Sequence, residues 1–84
     1  MNKGHLAWKG LTIMEALYDA GQPIKSSEVE DATGIHRTGV TKYIKWNLLN
    51  KYVEIDHTEP QRNGQTIKFF TLNPRGWALM EERQ

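Results

Sequence analysis

Between Ile35 and Lys51 the chain carries Arg37, Lys42, Lys45 and Lys51 and no carboxylate. Arg37, Thr38, Thr41, Lys42 and Lys45 recur at intervals of three and four, the spacing that gathers side chains on one face of an α-helix. On such a face, guanidinium and ammonium groups donate to phosphate oxygens or to guanine O6 and N7, and small hydroxyl side chains approach base edges. Gly39 sits among them, and its missing side chain would let a helix backbone come close to a nucleic acid, at about 1 kcal/mol of helix stability relative to Ala. The competing reading is the solvated face of an ordinary amphipathic helix.

Net charge is only +1, less than a nucleic-acid binder usually carries, but its distribution is uneven. Residues 1–34 hold three Lys and five Asp or Glu, and residues 52–61 hold three acids and no base. Residues 62–75 form a second basic segment, with Arg62, Lys68 and Arg75 and no acid. Arg62 is flanked by Gln61, Asn63 and Gln65, and an arginine among amides suits entry into a minor groove. Asn63-Gly64 is equally a hairpin turn signal. Ser27, with Lys25 and Ser26, stands at a helix start whose free amides suit a phosphate, although Ser27 and Glu30 also fit a plain capping box. His36 is either a phosphate or base contact or a helix cap.

Other chemistry finds little support. His5, His36 and His57 are scattered and none has a partner at metal-ligand spacing. There is no phosphate-binding loop, no dinucleotide glycine pattern and no nucleophile with a matching base, so neither an enzyme nor a cofactor is expected. The absence of cysteine removes thiolate chemistry, Cys-based zinc sites and disulfides.

The elements that must position these residues follow from periodicity. Leu6, Ile13, Met14 and Leu17 define a first helix over 6–20, ended by Gly21, and Trp8, Leu11 and Tyr18 form a second apolar stripe that something must cover. Gln22 to Lys25 reads as an extended link because of Pro23. A second helix starts at the Ser27–Glu30 box and turns Val29 and Ala32 inward. Gly34 then permits a tight turn, and Ile35 plugs the corner between helices. A third helix is expected over about 37–50, with Val40, Ile44 and Leu48 as its buried stripe. Tyr52 to His57 and Ile67 to Leu72 make a β-hairpin, and Asn73-Pro74 opens a closing helix.

This order of elements resembles the winged helix-turn-helix domains of the MarR-like superfamily. The stretch DATGIHRTGVTKYIKWNLLNKYVEI is similar to that family's small helix, glycine turn, recognition helix and first wing strand. FFTLNPRGWALMEE is similar to its second wing strand and closing helix, with Asn73 where the pattern has threonine. Asn47 stands in place of a buried leucine and Lys51 in place of a helix-ending glycine. The resemblance implies an α+β fold: a three-helix core, a β-hairpin wing and a C-terminal helix, in one domain spanning 1–84. It also implies double-stranded DNA as partner and transcription regulation, for instance as a repressor, as function. The DNA-binding set is then His36, Arg37, Thr38, Thr41, Lys42, Lys45, Arg62, Asn63 and Ser27.

At 84 residues, with 38% hydrophobic and 25% charged residues, the chain has room for one modest core and the composition of a folded domain. Its longest apolar run, Trp77 to Met80, is far too short for a membrane, and the chain is read as cytoplasmic. Trp8, Trp46 and Trp77, with Leu11 and Met80, are read first as core and second as a homodimer interface of the first and last helices. Two rival functions stand beside regulation: a protein-interaction module on the same scaffold, and a DNA-binding component of phage or plasmid replication or recombination.

Overall fold

The computed structural model describes residues 8–83, so Leu6 and His5 lie outside the described residues. Helix α1, Trp8–Ala20, buries Ile13, Met14, Ala16 and Leu17 and ends at Gly21, whose φ of 67° requires the left-handed region. The link after it is more than a link. Ile24–Lys25 forms a short strand β1, which pairs with a later strand.

Helix α2, Ser26–Thr33, begins two residues earlier than the Ser27–Glu30 capping box requires. The Glu28 carboxylate accepts the Lys25 amide at 3.1 Å, so Ser27 lies in the first turn and is not the cap. Glu30 is thereby free for another partner. Gly34 (φ 81°) closes the helix, its amide bonded to the Glu30 carbonyl at 2.8 Å, and the half-buried Ile35 packs against the core at the corner.

Helix α3, Arg37–Tyr43, is shorter than the expected 37–50 and continues as a π-helical turn over Ile44–Leu48. The Leu49 amide reaches the Ile44 carbonyl at 2.7 Å, five residues back, so the turn holds one residue more than an α-turn. The chain leaves at Leu49 in extended geometry and turns at Asn50 (φ 67°). Val40, Ile44 and Leu48 are fully buried, as their spacing implies. At the Asn47 departure from the family pattern, Leu48 goes inside while Trp46 and Asn47 go outside.

Strands β2, Val53–Pro60, and β3, Thr66–Leu72, form the hairpin, and the antiparallel sheet has the order β1-β3-β2. Both strands run further than expected at the hairpin end. Val53 pairs with Leu72 and Ile55 with Phe70, after which a bulge at Asp56 shifts the register so that His57 pairs with Phe69. Beyond Val53, every residue of β2 is exposed, because the hairpin projects past the helices and stretches the molecule to 42 × 23 × 22 Å.

Asn73 caps helix α4, Pro74–Arg83, by accepting the Gly76 amide at 2.8 Å. This helix covers the Tyr18 end of the second stripe of α1: Trp77 packs on Tyr18 with ring centroids 4.9 Å apart, and the Tyr18 hydroxyl donates to Glu81 at 2.8 Å. That bond, and burial after it, raise the Tyr18 pKa above its usual value. Met80 is buried and Trp77 half-buried, whereas Trp8 and Trp46 are 67% and 74% exposed and do not belong to the core. Among the described residues, no helix is long and apolar enough to cross a membrane.

Candidate nucleic-acid interface

The corner between α2 and α3 and the projecting half of β3 enclose an open groove of about 520 Å³. Side chains on a strand alternate between faces, so Thr66 and Lys68 share the face of the buried Phe70 and Leu72. Where the core ends, that face continues as the wall of the groove. The opposite wall is the exposed side of α3, with Arg37, Thr38, Thr41 and Lys42, and the end is formed by Lys25, Ser26 and Ser27 at the start of α2.

Four cations therefore line the groove: Lys25, Arg37, Lys42 and Lys68. No Asp or Glu lines it. Glu30, behind the lining, pairs with Arg37, and the excess positive charge of Lys25, Lys42 and Lys68 is what a bound polyanion would complement. Ser26 Oγ lies 2.7 Å from Thr41 Oγ1, which ties α2 to α3 across the end of the groove.

Arg37 is held in place. Its Nε donates to Glu30 Oε1 at 2.8 Å and its backbone amide reaches the same oxygen at 3.2 Å. The hydrogen bond from Arg37 holds the Glu30 carboxyl below the usual carboxylate range. Because Glu30 takes Nε, the two Nη groups stay available, and they are the ones a planar fork uses to engage two acceptors.

Of the residues singled out in the sequence, Ser27, Arg37, Thr38, Thr41 and Lys42 converge on this groove and the other four do not. His36 caps α3, its Nδ1 accepting the Thr38 amide at 3.1 Å. Lys45 lies further along the helix, with Nζ 5.4 Å from the Trp46 ring centroid. Arg62 and Asn63 sit at the hairpin tip, where Asn63 Oδ1 accepts the Gln65 amide at 2.9 Å and Gly64 alone takes a positive φ, 86°. Arg62 makes no ion pair among the described residues, which leaves its guanidinium open to a partner.

Lys68, Thr66 and Gln65 escaped the sequence reading as site residues. Lys68 was visible as part of the second basic segment, and the signal that could have placed it is parity: it lies two residues before Phe70 and four before Leu72, on the apolar face of the strand. Compared with family models, curated proteins and solved structures, the chain matches none of them.

Proposed function

We propose that this chain is a winged-helix domain that binds double-stranded DNA sequence-specifically, as a small transcriptional regulator. The observation that carries the reading is the carboxylate-free groove between α3 and β3, with its four cations and its row of hydroxyls. In this reading α3 is the recognition helix and lies in the major groove. A phosphate backbone runs along the groove against Lys42, Lys68, Lys25 and the first amides of α2. The hairpin is the wing, and it carries Arg62 toward the adjacent minor groove. Phosphate contacts of this kind fix register and supply most of the affinity, while base reading falls to Arg37, Thr38 and Thr41.

A homodimer would match a two-fold-symmetric operator. Trp77, Leu79 and Met80 are packed within the chain, so a dimer face on the first and last helices rests on Trp8 and Leu11. The test of function is selection of bound duplexes from a random pool, followed by titration of the enriched and a scrambled duplex over a range of salt. Regulation by sequence-specific binding requires an enriched motif and a steep fall of affinity with salt. A pool that stays random while binding remains salt-dependent would point to a non-specific DNA-binding role, and absence of binding would leave the interaction-module reading.

A further inference from the structure

Trp46 is the most exposed large apolar side chain among the described residues, at 74%, in a stretch of chain that otherwise offers only polar and cationic groups to solvent. Its direction follows from the π-helical turn. In an uninterrupted α-helix each step of four residues overshoots a full turn by about 40°, so Val40, Ile44 and Leu48 would fan across the helix surface. The wider turn closed by the Leu49-to-Ile44 bond absorbs that overshoot, and all three reach complete burial. The same turn acts on Trp46, which follows Lys42 by four residues, and swings the indole from the flank of the helix toward the outward line of Thr38 and Lys42. There it stands opposite the buried stripe, with the Lys45 ammonium 5.4 Å from its ring centroid.

Covering a large exposed apolar plane is favourable, and π-helical turns recur at functional sites. The occupant is set by continuity, because Lys42 and Thr38 belong both to this line and to the cationic groove. We infer that Trp46 is a base-reading residue that packs its indole on the 5-methyl edge of thymine in the major groove, which rests on the DNA-binding reading above. Thymine is the one base that places a methyl group in the major groove, beside its O4 acceptor, and an aromatic ring with flanking cations fits it: the ring covers the methyl group while Lys42 and Lys45 hold the neighbouring phosphates.

The test uses the whole chain, the selected duplex and the same duplex with deoxyuridine, which lacks the methyl group, in place of its thymines one at a time. At one position the loss of the methyl weakens wild-type binding about fourfold, the burial of a single methyl group. In Trp46→Ala the same change has no effect, and this variant binds the thymine duplex more weakly while its salt slope is unchanged. Wild-type tryptophan emission falls on binding, and Trp46→Phe, which keeps an aromatic ring, loses that quenching while keeping part of the affinity. An equal deoxyuridine loss in wild type and Trp46→Ala overturns the inference and leaves DNA binding intact. So does undiminished quenching in Trp46→Phe. Stronger quenching by single strands than by duplex overturns it in favour of stacking on unpaired bases. If wild type binds no duplex at all, the DNA-binding reading itself falls.

Discussion

The same substitution, glycine to alanine, is expected to act with opposite sign at two helical positions. At Gly76 an added Cβ would overlap the Tyr52 carbonyl oxygen and lie 3.1 Å from Leu72 Cδ2 and 3.2 Å from the Tyr52 carbonyl carbon. Backbone cannot rotate aside as a side chain can, so α4 must move off the β2 entry and strain the Asn73 amide to Tyr52 carbonyl bond, 2.9 Å long. Overpacking costs about 1–3 kcal/mol and the weakened buried bond about 1–3 kcal/mol more, against about 1 kcal/mol gained in helix propensity. Gly76→Ala should therefore lose about 3 kcal/mol, a drop in Tm of about 12–24 °C for a domain of this size. At Gly39 the added Cβ meets only Ile35 Cγ2, at 3.7 Å, an ordinary contact. Propensity then decides, and Gly39→Ala should gain about 0.5–1 kcal/mol. If the bare backbone at Gly39 lets DNA approach closely, that more stable variant also binds duplex more weakly. Urea denaturation of both variants, with duplex titration of Gly39→Ala, checks this. A Gly76→Ala protein as stable as wild type would refute the packing argument, and a destabilised Gly39→Ala would refute the claim that propensity alone acts there.

Lys68→Ala and Lys42→Ala should each weaken binding to selected and scrambled duplexes alike and reduce the salt slope by about one, read from titrations at several salt concentrations. Arg37→Ala should cost about 1–3 kcal/mol on the selected duplex and little on the scrambled one, with only part restored by Arg37→Lys; a parallel fall on both duplexes would assign Arg37 to phosphate. Arg62→Ala should cost more on sites with A·T-rich flanks than on sites with G·C-rich flanks, measured by competition between the two. Because the Tyr18 pKa is raised in the folded chain, the contribution of its bond to Glu81 is fully present below the unfolded value near 10 and fades as pH rises through the folded one. Tyr18→Phe should accordingly show a shallower loss of stability than wild type as pH rises above about 10 in urea denaturation.

What was legible in the sequence was whatever a local period or a turn residue encodes. The Val40, Ile44, Leu48 stripe, the left-handed Gly21 and Gly34 and the Asn73 cap all follow from contacts within a few residues. The Ser27–Glu30 box failed because two frames compete at the start of α2, and the winning one leaves Glu30 for Arg37, seven residues away across the corner. Strand β1 is two residues long, too short to alternate, and its pairing depends on β3, more than forty residues later. Trp46 was misplaced because a π-helical turn leaves no mark on a period of four, and Lys68 because the extent of the hairpin beyond the core decides which residues on its inner face stay dry. In the site, the helix face was legible and the opposite wall was not.

The hairpin's outer strand bears on how the protein behaves in a crowd. As the edge of the sheet, β2 presents its outer backbone groups beyond Val53, whose carbonyl takes the Asn50 amide, as a template on which another strand could add. Glu54, Asp56 and Glu59 place carboxylates along it, Pro60 withholds an amide, and the bulge at Asp56 breaks its regularity. These features act as guards against fibrous stacking, and the guard is electrostatic for most of its length. Removing the three carboxylates together, as in the triple variant Glu54→Gln, Asp56→Asn, Glu59→Gln, takes away the repulsion between edges and touches no core residue. Such a protein should add edge to edge with its fold intact.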